Sequence, residues 1–157
     1  MTSDVVVDSC VVAKWILPEA DSEQARRILV ETTQSGGQAI VLDIAFAEVA
    51  NAIWKRLHRG LLTRPEAELF LQDLEAIPVR IEVSRAHLTE AFRIAAQFDR
   101  SVYDALFVAA ARHLGLRAVT SDAPLGNAVR SDFPEVVLLN DWPPPPQIGL
   151  TEPSPHI

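Results

Sequence analysis

The chain of 157 residues is long enough for one domain with a single core, and its 48% hydrophobic and 22% charged residues are typical of a globular protein. The formal charge of −7 argues against a nucleic-acid partner, because phosphate binding usually calls for a basic surface. No apolar run reaches the roughly 18 residues that span a bilayer, and no signal-peptide pattern opens the sequence. The lone cysteine cannot form an intramolecular disulfide. Together these features predict a cytoplasmic protein without a membrane partner.

The order of apolar runs predicts five strands separated by helices. Strands are expected at residues 4–8, 39–43, 79–83, 117–122 and 135–140. Helices are expected at residues 11–17, 20–34, 44–60, 65–77, 85–99, 101–115 and 123–131. The strands are too apolar for a sheet with one solvated face, so the pattern predicts a parallel sheet covered by helices on both faces.

The end of the chain has a different composition. Residues 143–157 hold six of the eleven prolines, which cannot continue a helix or a central strand. We therefore predict a domain over residues 1–142 and a proline-rich tail over 143–157 that is disordered or forms polyproline II.

Two aspartates follow predicted strands directly. Asp8 ends the first strand and Asp122 ends the fourth, and the ligand crevice of an open parallel sheet lies at the carboxyl ends of its strands. Each aspartate has an equally good structural explanation, because Asp8 can cap the next helix and Asp122 can begin a turn or a helix.

Two further acids belong to helices. Glu48 aligns at helical spacing with Asn51, Lys55 and Arg59, which together form a polar stripe. The stripe is either solvated or faces a cleft, where Glu48 would be a ligand and Asn51 would support it. In the second case the basic residues 55–59 would approach a phosphate backbone.

Asp104 shares a helix face with Phe107, Val108 and Ala111. An unpaired carboxylate on that face costs several kcal/mol, so a cation partner is one explanation and a cap formed with Ser101 is the other.

The four acids are more informative together than separately, because two end strands and two begin or face helices that border the same sheet edge. Oxygen ligands without a histidine pair or a cysteine favour Mg²⁺ or Mn²⁺ over structural zinc. His58, His87 and His113 are scattered over three predicted helices and receive no role.

Four motifs in order resemble the PIN-domain family, and in particular the VapC-type ribonuclease toxins of bacterial toxin–antitoxin pairs. They are VVVDSCVVAKWILPE, AEVANAIWKRL, SVYDALFVAAA and AVTSD, and the similarity covers about residues 4–140. The resemblance implies a three-layer α/β/α sandwich with a five-stranded, mostly parallel sheet in the order 3-2-1-4-5.

The resemblance also implies a site. The family's acidic quartet falls on Asp8, Glu48, Asp104 and Asp122, with Asp8, Asp104 and Asp122 as metal ligands. Ser9 and Thr120 match hydroxyl positions that line it. Cys10 departs from the hydroxyl or small residue of many relatives, and a proline that many of them have near Asp43 is missing.

The implied activity is metal-dependent hydrolysis of RNA with one or two Mg²⁺ or Mn²⁺ ions, and the implied partners are RNA, an antitoxin protein and a second copy of the chain. Two other interpretations remain. In a protein-binding α/β module the acids would only cap helices. A haloacid-dehalogenase-like phosphatase would need an acid where Cys10 stands.

Overall fold

A computed structural model describes residues 3–143. The strands are β1 (Val5–Val7), β2 (Ala39–Leu42), β3 (Arg80–Glu82), β4 (Arg117–Thr120) and β5 (Val136–Leu138). The α-helices are α1 (Ser9–Ile16), α2 (Ser22–Gln34), α3 (Asp43–His58), α4 (Arg64–Glu75), α5 (Leu88–Phe98), α6 (Val102–Leu114) and α7 (Ala123–Val129). Short 3₁₀ helices occupy Ser84–His87 and Leu139–Asp141.

All five strands pair in parallel in the order β3-β2-β1-β4-β5, which confirms the predicted sheet. Strands β1 and β4 are therefore neighbours although more than 100 residues separate them in sequence. Val7 is in register with Val119, and the backbone N–H of Asp8 donates to the carbonyl of Val119 at 3.0 Å. This pairing brings the residues that follow the two strands to one point of the sheet edge.

Two apolar layers enclose the sheet and account for its uninterrupted hydrophobic strands. Val5 and Val7 pack with the layer formed by α1 to α4, whereas Val6 packs with the layer formed by α5 to α7. Helix α6 is the most deeply buried helix, with seven consecutive buried residues from Ala105 to Ala111. The three-layer α/β/α sandwich is therefore observed.

Local sequence signals explain where the helices begin and end. Thr63 and Glu66 form a reciprocal capping box at the start of α4. Gly60 and Gly115 follow α3 and α6 with φ of 72° and 66°, a left-handed conformation that costs glycine little. Asp43 is the first residue of α3, and its carboxylate accepts from the backbone of Ile44 at 2.8 Å.

Most observed element ends lie within two residues of the predicted ones, and two differences have a clear structural cause. The expected helix over 85–99 is divided into a 3₁₀ turn and α5, and buried His87 within that turn bonds to Glu82 at 2.9 Å. The last strand ends at Leu138 because the chain enters a 3₁₀ turn there. Apart from Pro143, the proposed tail lies outside the described residues, as do residues 1 and 2. No helix in the described part is long and apolar enough to cross a membrane.

Candidate functional site

Asp8 lies at the centre of a cleft at the carboxyl edge of the sheet. One of its carboxylate oxygens accepts from the backbone N–H of Ser9 at 2.9 Å, so Asp8 caps α1. The other oxygen accepts from the Thr120 hydroxyl at 2.8 Å. The capping explanation is thus correct, but it leaves the second oxygen free to contact the neighbouring strand.

Thr120 and Cys10 connect the two strand ends. Thr120 is fully buried, and its hydroxyl also accepts from the backbone N–H of Asp122 at 3.0 Å. The Cys10 thiol lies 3.4 Å from that hydroxyl and accepts from the backbone N–H of Ser121 at 3.3 Å. Burial, and then the charge of Asp8, raises the pKa of this thiol to about 11, so it is neutral near pH 7. The two side chains fix the spacing between Asp8 and the segment that carries Asp122.

Glu48 reaches the cleft from α3. The hydroxyl of Ser9 donates to its carboxylate at 3.4 Å, which joins the first turn of α1 to α3. Asn51, Lys55 and Arg59 continue the same exposed stripe along the helix. Within the described residues the side chain of Asn51 makes no hydrogen bond to the four acids.

Asp104 lies in the first turn of α6, and Asp122 caps α7. The Ser101 hydroxyl accepts from the backbone N–H of Asp104 at 3.1 Å, and the Asp122 carboxylate accepts from that of Leu125 at 3.0 Å. Ser101 rather than Asp104 therefore caps α6, which leaves the half-buried Asp104 carboxylate available for another partner.

The carboxylates act on one another electrostatically. Burial raises the pKa of Asp8 to about 6, and the charge of Asp104 adds to that rise. Loss of solvent raises the pKa of Glu48, and the charges of Asp8 and Asp104 raise it further. Loss of solvent and the charge of Asp122 raise the pKa of Asp104. All four acids therefore contribute to one electrostatic unit in which like charges accumulate.

Such a unit fits a divalent cation by its chemistry, because a cation offsets the repulsion and carboxylate oxygens are the ligands that Mg²⁺ and Mn²⁺ prefer. The side chains are not arranged in advance: within residues 3–143, no three His, Cys, Asp or Glu side chains form a ready-made metal cluster. Asp8 and Asp122 are instead engaged in the helix caps and the Thr120 contact, and Glu48 accepts from Ser9, whereas the Asp104 carboxylate remains available.

One cavity lies apart from the four acids. It has a volume of about 250 Å³ and lies against β5 and α7, and its lining includes none of them. Pockets for small ligands are usually concave and mostly apolar, whereas the residues gathered at the acidic edge are carboxylates.

Sequence reasoning missed two residues of the site. The sequence gives Cys10 no role in the site, yet its thiol contacts Thr120 and lies 3.5 Å from the Asp8 carboxylate. Arg100 received no attention, although its positive charge lowers the pKa of Asp104 against the larger effects that raise it. The Cys10 contact depends on the pairing of β1 with β4, and the Arg100 charge lies in a loop where apolar periodicity gives no signal. Of the histidines within residues 3–143, His58 stacks on Trp54, and His87 packs edge-on against His113.

Comparisons with known proteins agree with this geometry. The family model described as PIN domain matches residues 5–128. Ribonuclease VapC3 of Pyrobaculum aerophilum is 34% identical over 135 residues, which is 85% of this chain and 97% of that protein.

Two solved structures share the fold at low identity. The crystal structure of PAE2754 from Pyrobaculum aerophilum aligns with a TM-score of 0.66 at 19% identity, covering 89% of this chain and 93% of that one. A toxin–antitoxin complex from Klebsiella pneumoniae aligns with a TM-score of 0.59 at 15% identity, covering 86% and 97%.

The raised pKa of Asp8 predicts a pH-dependent cost in stability. Asp8 binds its proton below about pH 6 when folded but only below its ordinary value of 3.8 when unfolded, so the free energy of unfolding falls as pH rises through that interval. In EDTA at pH 8, Asp8→Asn should therefore be more stable than the parental protein by on the order of 2 kcal/mol. The gain should shrink as pH falls from 6 to 4.

Urea unfolding at several pH values measures this difference. Asp73→Asn on the exposed face of α4 is the matched control and should give a difference that does not vary in this way. A constant difference for Asp8→Asn across the pH range would contradict the assignment.

Proposed function

Because the chain belongs to the PIN-domain family, we propose that it is a metal-dependent endoribonuclease that hydrolyses RNA phosphodiester bonds, and that it is the toxin of a toxin–antitoxin pair. The observation that carries the proposal is the electrostatic unit of four carboxylates at the carboxyl edge of the sheet. The relationship to a ribonuclease at 34% identity over almost the full length of both chains supports the reaction type.

We assign the residues as follows. Asp8, Asp104 and Asp122 would hold one or two Mg²⁺ or Mn²⁺ ions, which supply a Lewis acid that activates water and offsets charge on the scissile phosphate. Glu48 orients the attacking water, and Ser9 holds Glu48 towards the cleft through its hydrogen bond. Thr120 keeps one oxygen of Asp8 in a fixed direction. Asn51, on the same stripe of α3, has the supporting role beside Glu48 that the sequence predicts.

This assignment reconciles the acidic charge of the chain with an RNA substrate. Four carboxylates repel an RNA backbone until a cation binds among them, so the metal is required for substrate binding as well as for chemistry. A capping-only module would satisfy the same hydrogen bonds, but it would have no reason to collect the acids into one mutually repelling group.

The activity predicts a specific pattern of losses. Asp8→Asn and Asp104→Asn should each lower RNA cleavage by roughly a hundredfold or more, because each removes a charge that holds the metal. Cleavage by the parental protein should stop in EDTA and return with Mn²⁺ or Mg²⁺. A fluorescent RNA substrate measures this, with Asp73→Asn as the control that retains the parental rate.

A second readout separates a nuclease from a protein whose acids only cap helices. Mn²⁺ should raise the melting temperature of the parental protein and have a much smaller effect on Asp104→Asn. Parental rates in both aspartate variants, or no shift with Mn²⁺, would overturn the assignment.

Two exposed apolar surfaces suit the expected protein partners. The groove between α3 and α4 is lined by Trp54, Leu57 and Leu71, and Trp54 is 54% exposed. The other surface comprises β3 and the start of α5, where Ile81 and Phe92 are 56% and 67% exposed. We assign the groove to an antitoxin and the β3–α5 surface to a second copy of the chain.

The groove assignment predicts that Trp54→Asp abolishes co-purification with the proposed antitoxin when the two proteins are co-expressed, because a buried unpaired charge opposes docking. RNA cleavage and the sedimentation coefficient should not change. If Trp54→Asp still retains the antitoxin as the parental protein does, the groove is not its docking surface.

The dimer assignment predicts the opposite pattern for Phe92→Asp, which should sediment as a monomer and still bind the antitoxin. Sedimentation velocity over a range of concentrations measures the mass. The two variants therefore serve as controls for each other, and equal mass for Phe92→Asp and the parental protein would remove the β3–α5 surface as the contact between copies.

A further inference from the structure

An RNA strand at the acidic cleft needs basic side chains as well as a metal, because positively charged side chains bind the phosphate oxygens of the backbone. Two basic side chains on the helices that carry Ser9 and Glu48 are already engaged. Lys14 pairs with Glu19 at 2.6 Å and with Asp21 at 2.9 Å, and Arg56 pairs with Glu19 at 3.2 Å. These groups hold α1, the following loop and α3 together rather than facing a ligand.

Arg100 differs from them. It lies in the short connection between α5 and α6, one residue before the Ser101 cap and four before Asp104. Within the described residues it forms no ion pair, and its buried Nε has no hydrogen-bond acceptor. A buried guanidinium nitrogen without an acceptor is unfavourable, and such groups are often found where a ligand or a catalytic group completes the contact.

The backbone holds Arg100 firmly although its side chain lacks partners. Its N–H donates to the carbonyl of Ala95 at 3.1 Å, and the preceding Asp99 adopts φ of 53° to end α5. The connection is therefore a defined turn. It places a guanidinium beside the N-terminus of α6, where the helix dipole also favours an anion.

We propose that Arg100 is a substrate-positioning residue that binds a phosphate of the RNA strand next to the bond that is cut. This rests on the proposed function and names a contact of the same site. A guanidinium suits the role because its planar donors match phosphate oxygens and it stays charged at every physiological pH. Arg100 touches no reacting atom and takes no part in proton transfer.

The competing explanation is that Arg100 merely moderates the charge of Asp104. The two explanations predict different effects on metal binding and RNA binding. Removing a cation beside the carboxylates should leave Mn²⁺ affinity unchanged or increase it, because two positive charges repel. A phosphate contact should weaken RNA binding at the same time. A variant that only loosened the turn would weaken both.

The test compares the parental protein with Arg100→Gln, Arg100→Lys and the control Arg26→Gln, which makes the same charge change at an exposed position on α2. Cleavage of a fluorescent single-stranded RNA of mixed sequence in Mn²⁺ gives KM and kcat. Fluorescence anisotropy gives RNA affinity without cleavage, and electron paramagnetic resonance of Mn²⁺ gives metal affinity.

For Arg100→Gln we expect KM to rise roughly tenfold with kcat within about twofold, because one charge-assisted contact is lost. The slope of log(kcat/KM) against log[salt] should become shallower by about one unit, because one phosphate contact is lost. Arg100→Lys should recover part of the lost RNA affinity. Mn²⁺ affinity should be equal to the parental value or higher. Arg26→Gln should match the parental protein in all three measurements.

Unchanged KM and RNA affinity in Arg100→Gln would overturn the proposal, as would a joint loss of Mn²⁺ affinity and melting temperature that Arg100→Lys shares. A parental protein that neither cleaves RNA nor binds Mn²⁺ would instead remove the proposed nuclease function. In that case the anisotropy comparison would still decide whether Arg100 binds RNA.

Discussion

The parallel pairing of β1 with β4 is the interaction on which the rest of the molecule depends. One register, with Val7 opposite Val119, aligns the two strand ends and places Thr120 where its hydroxyl reaches Asp8 at 2.8 Å. A slip of one residue would turn every side chain of the strand to the opposite face. Burial on both sides of the sheet makes that slip costly, because Val5, Val6 and Val7 are all within the core. The apolar layers therefore fix the position of the polar site.

The site in turn opposes the stability of the fold. Capping and the Thr120 contact favour the charged form of Asp8, yet burial outweighs them and raises its pKa to about 6. Burial also raises the pKa values of Glu48 and Asp104, and the charges of neighbouring carboxylates raise them further. A site that gathers like charges in this way lowers the stability of the fold, because each buried charge raises the cost of the next. The apolar burial of α6 and the pairing of β1 with β4 stabilise the fold against the cost of these like charges.

Helix capping and metal binding are separate explanations for the aspartates, and the structure shows which atoms the caps use. Asp8 caps with one oxygen and contacts Thr120 with the other, and Ser101 caps α6 in place of Asp104. A cap also sets the direction of its carboxylate, because the first turn of the helix is held in place. The caps thus help to orient the same side chains that face the cleft.

The sequence by itself determined the strands, the helices and the residues at their ends, because apolar periodicity and capping are local properties. From the printed residues alone it located Asp8 and Asp122 after strands and Asp104 in a first helical turn, and the family resemblance supplied the sheet order. Only the tertiary structure decided the contacts of Cys10, the charge of Arg100 beside Asp104 and the 3₁₀ turn before α5. The Cys10 contact joins segments far apart in the chain, and no local pattern records such distances. Arg100 and Asp104 are close in sequence, as are His87 and Glu82, but apolar periodicity does not show which polar side chains meet.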